Sequence, residues 1–149
     1  MKIYIGSDHA GFDAKEKLFA HLSKLKYDIE DVGDKVLDPN DDYPQFAYAA
    51  TAKLLGDADP ESKAILLCGS GQGMCIAANR VHGIRASLCW DEQSATETRE
   101  DNDSNVLCLP ARVLTQAELE RVTEAWLKTP FSGAPRHARR IKEIEELYG

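Results

Sequence analysis

The segment Cys68–Gly73, CGSGQG, sets a thiol at the head of a loop with glycine at every second position. Gly69, Gly71 and Gly73 allow positive φ and let a ligand approach the main chain closely. Successive amides in such a loop, ending where a helix begins, form a nest for an anion. A thiol facing those amides is favoured as thiolate, and a thiolate serves as general base or nucleophile. The plain alternatives are an inert strand cysteine and a strand-to-helix turn with no ligand. A dinucleotide fingerprint fits poorly, because the third glycine falls one place early and Met74 occupies its slot. Asp91 nevertheless lies downstream at a distance that suits a ribose-binding acid.

Two further segments carry chemistry. Asp8–His9 directly follows the first apolar run, and Asp–His neighbours can orient one another for hydroxyl recognition or proton transfer. Residues 136–142 hold Arg136, Arg139, Arg140 and Lys142, four of the 18 lysines and arginines, and no acid. They open a helix whose later residues are Glu143, Glu145 and Glu146. That order opposes the helix dipole, which disfavours cations at the N-terminus by about 0.3–1 kcal/mol each. A bound anion would account for it, since Arg136 and Arg140 stand one turn apart and can clamp one phosphate. The alternative is a solvated charge run paired with the glutamates that follow. His21 and His82 receive no role.

The elements that position these residues follow from apolar spacing. Lys2–Gly6, Tyr27–Val32, Lys63–Cys68, Ile84–Trp90 and Asn105–Leu109 read as strands. KAILLC at 63–68 is apolar without interruption after its lysine, as a strand buried on both faces requires. Between them lie helical patterns over 12–26, 43–55 and 73–81, and Asp91 is placed to cap a further helix. The last two helices cover 115–128 and a segment after Pro130–Pro135. Asp13 with Glu16, and Thr115 with Glu118, resemble capping boxes. This alternation predicts an α/β fold: a Rossmann-like αβα sandwich around a five-stranded parallel sheet. Ligands in such folds bind beyond the carboxyl ends of the strands, which selects 7–11, 68–73 and the segment from Asp91.

Composition narrows the function classes. A chain of 149 residues fits one domain over 1–149. A net charge of −7 argues against a nucleic-acid binder. No apolar run approaches the ~20 residues of a membrane span, and MKIYIGSDHAGF has no signal-peptide core. The cysteines Cys68, Cys75, Cys89 and Cys108 form no C-x-x-C pair, so no structural metal is expected. Three of the four read as buried free thiols, as in a reducing cytoplasm.

Taken in order, SDHAGF, DDYP at 41–44, CGSGQG with IAANRVHGIRA, NDSNVL at 102–107 and RHARR at 136–140 resemble the type B ribose-5-phosphate isomerases. That sugar-phosphate isomerase family of carbohydrate metabolism also contains galactose-6-phosphate isomerase. The resemblance spans nearly the whole chain. It implies a cofactor-free, metal-free aldose–ketose isomerase acting on ribose 5-phosphate through an enediolate. A hexose 6-phosphate substrate, or a binding module without chemistry, are the alternatives. It also implies a homodimer or dimer of dimers with shared active sites, the C-terminal helix reaching the partner. By resemblance Cys68 moves the proton, and Gly69, Ser70, Gly71, Gln72 and Gly73 form the loop that holds the enediolate oxygen. Asp8, His9 and Tyr43 match sugar-binding positions. Asn102, Arg112, Arg136, His137 and Arg140 match substrate and phosphate contacts, some of them from the partner. Part of the family has a glutamate base where Met74 stands, which leaves Cys68 as the proton carrier of this loop. One departure is chemical: many members have a ring-opening histidine where this chain has Asp101. Either burial drives Asp101 toward its protonated form, or His9 takes over, or the sugar differs.

Overall fold

A computed structural model describes the whole chain, residues 1–149. Five strands form one parallel sheet: β1 (Lys2–Ser7), β2 (Asp28–Asp31), β3 (Lys63–Cys68), β4 (Ala86–Leu88) and β5 (Val106–Pro110). Their order is β2-β1-β3-β5-β4. Six helices surround it: α1 (Phe12–Lys24), α2 (Tyr43–Gly56), α3 (Gln72–Ala78), α4 (Glu92–Asn102), α5 (Gln116–Lys128) and α6 (Pro135–Tyr148). No helix is long and apolar enough to cross a membrane.

β3 is buried at all of its positions, because both of its faces are covered. Successive side chains point to opposite faces of a strand. Ile65 and Leu67 therefore pack with Leu18 and Leu22 of α1 and Leu119 and Trp126 of α5. Ala64, Leu66 and Cys68 turn the other way, toward Phe46 and Ala50 of α2 and Met74 of α3. Trp126 is fully buried and donates its indole N–H to Ser104 Oγ at 2.8 Å. The sheet is thus sandwiched as its apolar pattern predicts.

Two local expectations change. The strands at the edges shrink to Asp28–Asp31 and Ala86–Leu88, each having a neighbour on one side only. The Asp13–Glu16 box does not form: α1 has Gly11 as N-cap, with no side-chain cap. A 3-10 turn over His9–Gly11 precedes α1, so the free amides lie upstream. Asp8 satisfies them, accepting from Ala10 N at 3.0 Å and Gly11 N at 3.2 Å. The Thr115–Glu118 box forms as expected.

The strand order places the switch point between β1 and β3. From β1 the chain moves outward to β2, then returns past β1 to β3 and continues the other way. The connections leaving β1 and β3 therefore diverge, α1 on one face and α3 on the other, beside α2. In open α/β sheets a ligand cleft lies between carboxyl ends that part in this way. Segments 7–11 and 68–73 flank that cleft. Asp91 follows the edge strand β4 and is a cap: its Oδ1 accepts from Ser94 N at 2.7 Å. That bond commits Asp91 to the start of α4, on the edge strand and away from the 69–73 loop.

Candidate active site

Cys68 ends β3 opposite Pro110 of β5 and is 4% exposed. Its sulfur belongs to the α2/α3 layer beside Met74 and Phe46. The loop that follows turns sharply because Gly71 adopts φ +75. A Cβ there would stand 2.5 Å from Leu88 Cδ1 and 3.0 Å from the Leu109 carbonyl carbon. Only glycine therefore lets the loop lie against β4 and β5. The amides of Gly69, Ser70 and Gly71 donate to no group within the chain, while Gln72 N reaches Ser70 Oγ at 3.4 Å. Three free donors beside a strand-end thiol are the arrangement an oxyanion needs.

The β1 side is seated against this loop by Gly11. A Cβ on Gly11 would lie 2.8 Å from both Cβ and O of Leu67, so the 3-10 turn rests directly on the end of β3. Asp8 is buried and occupied in holding that turn, and does not orient its neighbour. His9 is oriented by Asp41, whose Oδ1 accepts from His9 N at 2.9 Å and lies 2.8 Å from His9 Nδ1. The Asp41 hydrogen bond raises the pKa of His9 above its ordinary value. The charge of Asp8 adds to this, while desolvation and the charge of Arg112 oppose it. Asp41 is the residue that sequence reasoning missed. Its signal was present in DDYP, but position alone could not show that the 33–42 loop returns to β1.

Tyr43 and Arg112 complete this group. Tyr43 begins α2 and presents its ring to Gly73, 2.6 Å from where a Cβ would stand. Arg112 N donates to Gly69 O at 3.0 Å, and its side chain lies over Gly69 within 3.2–3.6 Å of the same kind of position. No carboxylate pairs with Arg112 within the chain. Asp8, His9, Tyr43, Cys68, the 69–73 loop and Arg112 thus share one cleft.

Asp101, Asn102, Arg136, His137 and Arg140 form a second group elsewhere. α4 runs back from the carboxyl end of β4, so its C-terminus reaches the opposite edge of the sheet. Arg85, which precedes β4, donates from Nε to Asn102 O at 3.1 Å and fixes that placement. Strands of five or six residues at about 3.3 Å per residue separate the two edges by roughly 16–20 Å. α6 starts against this end of α4, where Ser132 N donates to Glu100 O at 3.2 Å. His137 Nε2 lies 3.2 Å from Asp101 Oδ1. Arg136 and Arg140 are exposed, and neither pairs with an acid of the chain, whereas Lys142 pairs with Glu146 at 3.4 Å. Asp101 keeps a side-chain exposure of 48%, so burial within the chain does not isolate it.

All four cysteines are free, with Cys75 half-buried and the others buried. Cys75 Sγ donates to Ala86 O at 3.4 Å and accepts from Asn79 Nδ2 at 3.6 Å. A hydrogen bond with the Cys108 thiol lowers Cys75 to about 7 against the opposing effect of burial. The same contact and burial push Cys108 up. No three His, Cys, Asp or Glu side chains come together as metal ligands.

With both groups placed, the chain can be set beside known proteins. Residues 3–144 match the model of the Ribose/Galactose Isomerase family. The chain belongs to that family. Ribose-5-phosphate isomerase B of Mycolicibacterium paratuberculosis is 42% identical over 146 residues, 98% of this chain and 91% of that protein. Among solved structures, Clostridium thermocellum ribose-5-phosphate isomerase B superimposes with a TM-score of 0.93 at 37% identity, covering 99% and 97% of the two chains. The enzyme from Mycoplasma genitalium, solved with bound ribulose 5-phosphate, gives 0.92 at 39% identity, covering 97% and 94%.

Proposed function

We propose that this isomerase interconverts ribose 5-phosphate and ribulose 5-phosphate, with Cys68 carrying the proton. The observation that supports the chemistry best is the Cys68 thiol ending β3 next to three unpaired loop amides and the unpaired Arg112. Relatives that share this chain from end to end carry the ribose-5-phosphate isomerase name, which supports the substrate.

In the open aldose, the Cys68 thiolate takes the proton from C2. The C2–H electrons form the C1–C2 double bond, and the carbonyl π electrons move to O1. The free amides of Gly69, Ser70 and Gly71 donate to the oxygen that becomes negative. Cys68 then returns its proton to C1, O2 becomes the ketone oxygen and its proton passes to O1. A positioned general base contributes about 10²–10⁴-fold to such a step. Arg112 and the imidazolium of His9 supply charge for the phosphate, and Tyr43 walls the cleft.

Completing the site takes a second copy of the chain. The arginines at 136 and 140 stand at the far edge of the sheet from Cys68, so one chain cannot apply both groups to a single pentose. A two-fold pair brings the α4–α6 corner of each chain to the cleft of the other. Four free thiols and a phosphorylated substrate fit a reducing cytoplasm.

The test is conversion of ribose 5-phosphate by the purified protein in EDTA, followed by C68A. Turnover in chelator that is lost in C68A, with ribulose 5-phosphate still bound, is the expected result. Normal turnover by C68A would remove the base assignment. Faster conversion of galactose 6-phosphate would move the substrate to the hexoses, and stabilisation by AMP without turnover would favour a binding module.

A further inference from the structure

Ribose 5-phosphate reaches an enzyme mostly as a closed furanose, which has no carbonyl. Before Cys68 can act, the O1 hydroxyl must lose a proton, the C1–O4 bond must break, and O4 must gain a proton. Cys68 is committed to C1 and C2. His9 is fixed by Asp41 at both its backbone N and Nδ1 and stands with Arg112 as a cationic pair suited to phosphate. A second proton-transfer group is therefore needed near O4.

The corner between α4 and α6 holds one carboxylate–imidazole pair. His137 Nε2 is 3.2 Å from Asp101 Oδ1, and the imidazole is 10% exposed. Its Nδ1 makes no hydrogen bond within the chain. The buried polar side-chain atoms left without a partner are Ser7 Oγ and Thr123 Oγ1. The free nitrogen of His137 is therefore not sealed in. Arg136 precedes it and Arg140 follows one turn later, both unpaired. A phosphate held by these arginines brings O4 close, since only C4 and C5 separate the ring oxygen from the ester oxygen.

Resting on the substrate read above, we infer that His137, oriented by Asp101, opens the furanose ring. Its free nitrogen takes the O1 proton as C1–O4 breaks and the C1=O1 carbonyl forms. The imidazolium, balanced by the Asp101 carboxylate, passes that proton to O4. No net proton is consumed, and the open aldehyde is left for the partner subunit's thiol. The carboxylate at 101 thus acts through an imidazole supplied by α6.

The readout is the dependence of rate on enzyme concentration, taken by rapid mixing. An enzyme that cannot open the ring waits for the open form to appear in solution. H137N is expected to convert ribose 5-phosphate at a rate that levels off at the uncatalysed ring-opening rate as enzyme is added. The wild type stays proportional to enzyme well beyond that rate. D101H in the H137N background, which sets an imidazole directly on α4, is expected to restore proportionality. D101N tests the pair with α6 intact and is expected to show a partial plateau. A lowered rate in H137N that still grows in proportion past the uncatalysed limit would overturn the inference and leave His137 as a phosphate contact. An unchanged rate would overturn it too. A wild type inactive on ribose 5-phosphate would instead overturn the substrate reading, and this inference with it.

Discussion

Asp41 grips His9 at two points, accepting from its backbone N at 2.9 Å and facing its Nδ1 at 2.8 Å. One carboxylate oxygen thereby fixes both the chain direction after β1 and the rotation of the imidazole. The loop that bears Asp41 starts beyond β2, so the contact ties the entrance of α2 to the end of β1. Because the pair favours imidazolium, D41N is expected to lower the titration midpoint of His9, read from its ring proton resonances. Wild-type His9 has a folded pKa above the unfolded one. Its contribution to stability is therefore complete below the unfolded midpoint and fades as pH rises through the folded one. KM for the sugar phosphate should rise over that same window, and earlier in pH for D41N.

Gly71 has no substitute. With φ at +75 and a Cβ position 2.5 Å from Leu88 Cδ1, G71A combines a left-handed strain with a clash against β4. A loss of roughly 1–3 kcal/mol is expected, visible as a lower denaturation midpoint. G73A meets only the Tyr43 ring, at 2.6 Å, and Tyr43 is 39% exposed. It should displace the ring and raise KM with a much smaller loss of stability. Equal destabilisation by the two would contradict this.

Two inactive variants should repair each other. C68A damages the cleft and R140A the opposite corner. In a mixed pair one site inherits both defects and the other neither. Random reassociation of equal amounts should restore about one quarter of wild-type activity. Activity that stays at the level of the separate variants would argue that each site is built within one chain.

The thiols should sort by environment. Cys75, held at about 7 by the Cys108 thiol, is expected to alkylate with a midpoint near neutral pH. Cys89, pushed up to about 11 by burial, and Cys108, pushed up by Cys75 and burial, should stay unmodified there. Mass spectrometry of peptides after brief iodoacetamide treatment reads the order. C108A removes the donor and should shift the Cys75 midpoint upward.

Lys15 supports the cleft from behind. It is fully buried, with Nζ 2.6 Å from Asp31 Oδ2 and 3.0 Å from the Asp34 carbonyl. K15M removes that cation and leaves the half-buried Asp31 with only the more distant Lys35 Nζ at 3.7 Å and the Gly33 amide at 2.9 Å. The loss should fall below the ~3–5 kcal/mol of a break that leaves a fully buried charge unpaired, and urea denaturation measures it. The loop leading to Asp41 begins at these contacts, so a rise in KM should accompany the loss.

Much of this molecule is local enough to read from the chain. KAILLC announces a strand covered on both faces, CGSGQG a loop that needs glycine, and Thr115 with Glu118 a helix start. In each case the decisive forces act within a few residues, through alternation, φ or a cap. The strand order was not legible, because the neighbours of β3 lie some 40–60 positions away and are chosen by which faces must be covered. For the same reason the reader of the sequence pairs Asp8 with His9, whereas folding pairs His9 with Asp41. Asp101 alone looks like a lost imidazole. Only the packing of α6 against the end of α4 sets His137 beside it, and only the length of the strands parts that corner from Cys68.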